Sequence, residues 1–195
     1  MSMKKPFIIM LFFILLQFSA SVLAARSVTL STVPLTDEEE KTLLFMREEE
    51  KLARDVYLTM YELYKSYDGS SIFKNIAKSE QSHMDALKKL LDKYQLDDPA
   101  QENIGEFTNK ELQALYDALV YKGQASYLSA LEVGVTIEEK DMVDIQFAID
   151  EAEQYPDLIK VYSNLLDGSK NHLRAFTSQI EKLDPEYPEY RSILH

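Results

Sequence analysis

Residues 73–94 read FKNIAKSEQSHMDALKKLLDKY. Phe73, Ile76, Leu87, Leu90 and Tyr94 recur at spacings that place them on one helical face. Glu80 and His83 stand at the two central positions of that series, where the pattern calls for apolar side chains. A carboxylate and an imidazole three residues apart on one helical face form a metal-binding pair. Their neighbours at helical spacing are hydrophobic, so the pair is expected to point into a core rather than into water.

Upstream, a first main helix is predicted over about 36–66, with Thr36 and Glu39 arranged as a capping box. Its apolar stripe is Leu43, Met46, Ala53, Tyr57, Met60 and Tyr64. Glu50 lies in line with that stripe, seven residues after Leu43 and seven before Tyr57. The second main helix, about 70–94, carries the opening stretch. Asp98-Pro99 and Gly105 then mark loop, and Thr108 to Glu111 has capping-box spacing before a short helix that Gly123 stops. A connection this long in a compact domain makes sense as a crossover carrying its own helix. A third main helix follows over about 124–152, with Leu131, Met142, Ile145 and Ile149 on a face shared by Glu138, and Asp141 on an adjoining row. Gly134 inside it points to close backbone packing. The fourth starts after Tyr155-Pro156 and runs to about Leu183. Its stripe is Leu158, Val161, Leu165, Phe176 and Ile180, with Ser169 and His172 in the middle.

The polar interruptions fall near mid-helix in all four cases, and the midpoints of packed helices of similar length meet at one level. Glu50, Glu80, His83, Glu138 and His172 are therefore expected to converge. An uncompensated buried charge costs several kcal/mol, in a domain stable by roughly 5–15 kcal/mol. Three facing carboxylates need a cation, protons or water, and a divalent metal would supply the charge. Tyr57 is placed to hydrogen-bond a ligand carboxylate, and Arg54 to pair with a neighbouring acid.

Composition narrows the chemistry. There are no cysteines, so disulfides, thiolate metal sites and cysteine nucleophiles are excluded. Oxygen and imidazole ligands suit iron, manganese or zinc, at one or two ions per chain. Five glycines, in no phosphate-loop or dinucleotide pattern, leave those functions without a scaffold. Lys4-Lys5, the apolar run from Pro6 to Phe18 and the small residues ending at Ala24 have the layout of a secretory signal peptide over residues 1–24. The run is short for a span of about 20 residues. A leader at 25–35, a folded domain over 36–183 and a tail at 184–195 are expected to follow. Cleavage would take the formal charge from −12 to −14. That surface repels nucleic acid and anionic lipid, and is compatible with collecting cations. The expected setting is periplasmic or extracellular, without a membrane anchor once the signal is removed.

At these residues the chain resembles the ferritin-like superfamily, particularly its rubrerythrin branch. Glu50-x-x-Ala53-Arg54-x-x-Tyr57 resembles the first-helix motif of rubrerythrins, and Phe73-x-x-Ile76-Ala77-x-x-Glu80-x-x-His83 their second-helix motif. Gly168-Ser169-Lys170-Asn171-His172-Leu173-Arg174-Ala175-Phe176 resembles the last-helix phrase of a bacterial ferritin-like family catalogued only as a domain of unknown function. The resemblance covers about Leu35 to Leu183. It implies an all-α, ferritin-like four-helix bundle with a long crossover, containing a short extra helix, between helices 2 and 3. It also implies a carboxylate-bridged di-iron or di-manganese centre. Glu50, Glu80, His83, Glu138 and His172 match its ligand roles. Ser169 departs from the pattern, standing where a second bridging glutamate would be. One ion, recruitment of Asp141 as a substitute ligand, and loss of metal all stay open. The cysteine module of full rubrerythrins is absent. The resulting expectation is an exported metal-binding protein with ferroxidase or peroxide-scavenging activity. The alternatives are a metal-free scaffold or interaction module of the cell envelope and an iron-storing cage, and a homo-oligomer is compatible with each.

Overall fold

The computed structural model describes residues 33–184. The expected signal segment, nearly all of the leader, and the tail beyond Asp184 with His195 lie outside the described residues. Among the described residues there are five α-helices and no strand: α1 Asp37–Tyr64, α2 Ser71–Tyr94, α3 Lys110–Gly123, α4 Tyr127–Glu151 and α5 Pro156–Leu183.

The helix ends follow local chemistry. The Thr36–Glu39 capping box opens α1. Gln95, in the left-handed region at φ 60°, closes α2, and Leu96 N–H bonds back to the Leu91 carbonyl at 2.9 Å. At α3 the cap is Asn109, one residue later than the sequence pattern suggests. Its side chain accepts from the amides of Glu111 and Leu112. The Thr108 hydroxyl instead donates to the Pro99 carbonyl at 2.7 Å and accepts from Gln101 Nε2 at 2.8 Å, which commits it to the preceding segment rather than to the helix start. Ser126 caps α4, and Pro156 sits in the first turn of α5.

Helix α1 packs on α2, α4 on α5, α1 on α4 and α2 on α5, which closes a ring of four long helices. Two apolar clusters fill it. One gathers Val56, Tyr57, Met60, Phe73, Ala77, Leu131, Phe176 and Ile180. The other gathers Leu43, Met46, Leu87, Leu91, Ile145, Leu158, Tyr162 and Leu165. Every long helix passes from one cluster to the other across its polar residues: Glu50 on α1, Glu80 and His83 on α2, Glu138 and Asp141 on α4, Ser169 and His172 on α5. The polar layer thus lies between two dry ones.

The outer side of α1 is covered as well. Helix α3 packs on α1 and α4, and the segment before it crosses α1. Arg47 donates two hydrogen bonds to Asp98, at 3.0 and 2.8 Å. Glu48 accepts from the amides of Thr108 and Asn109 at the start of α3, where a carboxylate is favoured by the helix dipole. Lys51 pairs with Asp55, donates to the Asn103 carbonyl at 2.8 Å and lies 4.5 Å from the Phe107 ring centre. Asp55 also accepts from Gly105 N–H at 3.0 Å and from Arg54 at 2.8 Å. Both Lys51 and Asp55 are fully buried. Breaking a buried pair costs about 3–5 kcal/mol, whereas replacing both members by apolar groups is often neutral. Asp55→Ala is therefore expected to destabilise the chain by about 3–5 kcal/mol in urea melts. The double change Lys51→Met, Asp55→Leu should cost markedly less. Equal losses in the two proteins would contradict a charge-pair clip.

Candidate metal centre

Glu50, Glu80, His83, Glu138 and His172 come together in the polar layer. The middle of α2 supplies its centre. Glu80 presents one oxygen to each imidazole: Oε2 lies 2.8 Å from His83 Nδ1 and Oε1 lies 2.8 Å from His172 Nδ1. His83 Nδ1 is also 3.1 Å from Glu50 Oε2, and His172 Nδ1 is 3.5 Å from Glu138 Oε2. The two rings stack at 5.6 Å between centroids. Two triads result, Glu50–Glu80–His83 and Glu80–Glu138–His172, each with its ligand atoms within 4.8 Å of one another. Glu80 belongs to both.

A second ring of side chains braces the first. Tyr57 donates to Glu138 Oε1 at 2.5 Å, and the rings of Phe73 and Phe176 flank it. Arg54 lies 2.6 Å from Gln81 Oε1 and salt-bridges Asp55, outside the cluster. Ser169 is buried and its Oγ lies 2.5 Å from Asp141 Oδ2 and 3.0 Å from the Leu165 carbonyl. Gly134 leaves room for the Phe176 ring, which a Cβ would meet at 2.6 Å. Gly168 does the same for His83: a Cβ there would lie 2.5 Å from Nε2. The bare backbone of α5 at that point is what lets the imidazole sit between α2 and α5.

The electrostatics record the strain of gathering these acids. Burial raises the Glu50 carboxyl to about 8, against the pull of His83. Burial and the negative Glu80 raise Glu138. Burial, then the charges of Glu50, Glu49 and Glu138, push Asp141 well up. Burial would raise Glu80 too, but the two imidazoles outweigh it and hold it at about 2. Burial would lower both histidines, yet the acids beside them lift each to about 10. Glu80 is thus the fixed anion, and the imidazoles and the other acids share the protons that balance it.

Those protons leave the polar atoms poorly served. Glu50 Oε1, Glu80 Oε1, Asp141 Oδ1 and His172 Nδ1 are buried without a hydrogen-bond partner. Glu80 Oε1 and His172 Nδ1 are close, but not aligned as donor and acceptor. His83 Nδ1 does reach Glu50 Oε2, but the converging atoms left unserved beside it fit a shared cation. Three carboxylates and two imidazoles without thiolate suit iron, manganese or zinc.

Residues 39–192 match the family described as "Uncharacterized protein domain (DUF2202)". The chain belongs to this family. It is 48% identical over 161 residues to "Uncharacterized protein MJ0754" of Methanocaldococcus jannaschii, spanning 82% of this chain and 84% of that one. The crystal structure of "hypothetical protein MJ0754" is similar at a TM-score of 0.75 and 47% identity, over 80% of this chain and 86% of that chain. A DUF305 fragment from Deinococcus radiodurans shares the fold alone, at a TM-score of 0.55 and 12% identity over 77% of this chain and 99% of the fragment.

Sequence reasoning grouped the five candidates but missed what surrounds them. In this DUF2202 chain Glu48, Glu49 and Lys51 are as buried as Glu50, and no periodicity rule signals that. Gly168 carried one usable hint, a helix-breaking residue inside a helix four residues before His172.

Two outcomes test this geometry. Glycine to alanine in a helix interior ordinarily stabilises by about 0.5–1 kcal/mol. Gly168→Ala is expected to destabilise instead, because the new methyl displaces His83, and a gain in urea midpoint would contradict the contact. The second concerns pH in the metal-free protein. Folded His83 and His172 titrate near 10 against 6.5 unfolded, so their stabilisation is complete below pH 6.5 and is lost toward pH 10. Glu50, near 8 folded against 4.5 unfolded, loses stability in the same direction between those values. The opposite contribution of Glu80 is already complete by pH 4.5. Melting in chelator should therefore show Tm falling steadily from about pH 6.5 to 10. A Tm that rises over this window would refute the proton-balanced cluster.

Proposed function

We propose that this chain is a ferritin-like four-helix bundle that binds two divalent metal ions bridged by Glu80. Helices α1, α2, α4 and α5 form the bundle, and α3 rides in the crossover between α2 and α4. Glu50, Glu80 and His83 would hold one ion; Glu80, Glu138 and His172 would hold the other. One observation carries the reading: a single buried carboxylate is shared by two triads of ligand type. Metal binding would displace protons from both imidazoles and from the raised acids, so affinity should grow with pH.

Bound iron or manganese would supply redox chemistry, which the resemblance to rubrerythrins directs toward oxidising ferrous iron or removing peroxide. The protein's own residues prepare the place. The two apolar clusters exclude water from either side of the polar layer. Tyr57 fixes the orientation of Glu138, and Gly168, lacking a side chain, leaves the space that His83 occupies. Ser169 is too short to bridge, so the hydroxyl and Asp141 leave that side of the centre less crowded than a glutamate would.

The apolar Pro6–Phe18 run supports an exported protein. No helix among the described residues is long and apolar enough to cross a membrane. Ser169 also favours a second reading, a metal-free helical scaffold that has lost an anionic bridge.

Stoichiometry separates the two readings. Purified protein loaded with Mn2+ and desalted should hold two ions per chain. Glu50→Ala and Glu138→Ala should each retain one, and Glu80→Ala should retain none, because Glu80 serves both triads. An unloaded wild type, or full content in Glu80→Ala, would overturn the proposal.

A further inference from the structure

Helix α4 carries Glu138, Asp141 and Asp144 at intervals of three, a row along one side of the helix that rises about 4.5 Å per step. Their burial is graded. Glu138 is 1% exposed, Asp141 is 5% exposed, and the Asp144 side chain is 31% exposed. Glu49 of α1 adjoins this row and is 4% exposed. Its Oε1 takes the Lys140 ammonium, and its Oε2 has no hydrogen-bond partner. Asp141 Oδ1 has none either, and the charges of both Glu49 and Glu50 reach Asp141. Lys140 bridges Glu49 and Asp144 over the Phe45 ring, with its side chain 42% exposed. A surface depression of about 290 Å³ at the seam of α1 and α4 has Asp144 in its wall, beside Lys41, Phe45 and Phe147.

As a purely structural arrangement this is wasteful. Two acids are more than nine-tenths buried, each with one oxygen unserved, although an unsatisfied buried polar group is destabilising even when protonated. They are not among the five proposed ligands. Their placement makes sense if the missing partner is a passing cation. The positive group that bridges Glu49 and Asp144 is the Lys140 ammonium, on a long flexible stem whose strongly hydrated head can move out to solvent. Oxygen-only sites suit hard divalent ions that exchange readily.

We infer that Asp144, Glu49 and Asp141 form a transit site for divalent cations leading from the α1/α4 seam to the buried centre, with the Lys140 ammonium closing its mouth. This inference rests on the metal centre proposed above. An incoming ion displaces Lys140 from Asp144 and Glu49, passes to the free oxygens of Glu49 and Asp141, and is handed to Glu50 and Glu138. No bond is made or broken except coordination, and Lys140 returns when the ion has passed.

Co2+ tests the route, because its visible absorption reports arrival at the nitrogen-containing centre in a stopped-flow mixer. Metal-free full chain is compared with Glu49→Gln, Asp144→Asn and Lys140→Gln, and final Co2+ per chain is measured separately. The acid variants should load about ten-fold more slowly, and Lys140→Gln faster, with final content unchanged. Asp144 is half-exposed, so its variant keeps the test decisive if Glu49→Gln folds poorly. Loading of both acid variants at the wild-type rate, including the outcome in which the acids relay only protons, would overturn the route while leaving the centre intact. A wild type that takes up no Co2+ overturns both.

Discussion

The rest of the structure depends on one electrostatic constraint: several acids must share the middle of an otherwise dry helical core. Apolar clusters lie on both sides of them and the carboxylates are almost fully buried, so solvent screens their charge weakly. Glu80 solves part of the problem by taking one imidazole on each oxygen. Protons on Glu50, Asp141 and the histidines solve more of it in the metal-free protein. Each of these solutions leaves buried oxygens without partners. A divalent ion on either side of Glu80 would replace the protons and serve those oxygens together, which is the physical case for the proposed centre.

The same constraint explains why α1 is wrapped. Arg47, Glu48, Glu49, Glu50 and Lys51 form a continuous run of charges, and all are buried. Each faces a different partner: Asp98, the amides at the start of α3, Lys140, His83, and Asp55 with Asn103. The segment between α2 and α3 is therefore not a passive linker. It supplies counter-charges and hydrogen bonds to the side of α1 that turns away from the polar layer, and in doing so it fixes the helix that presents Glu50.

Much of this was legible in the chain. The 3.6-residue period located every long helix, with ends within about three residues of those observed, because caps such as Thr36–Glu39 and breakers such as Pro156 are local signals. Glu80 and His83 were legible because they interrupt a clean stripe. Glu48, Glu49 and Lys51 were not, since their burial depends on a segment some fifty residues away, and a charged run ordinarily marks a solvated face. The cap of α3 was misplaced by one residue because Thr108 is engaged by Pro99, a contact that local sequence does not encode. The consequence of Ser169 stayed open at the sequence level. Only the packed geometry shows Glu80 reaching both triads and Asp141 held by that serine.

Anomalous diffraction from crystals grown with Mn2+ addresses the central claim most directly. Two core peaks are expected, one among Glu50, Glu80 and His83 and the other among Glu80, Glu138 and His172, with Glu80 contributing an oxygen to each. A core without peaks, with both imidazoles still paired to the acids, would show that protons alone balance this layer.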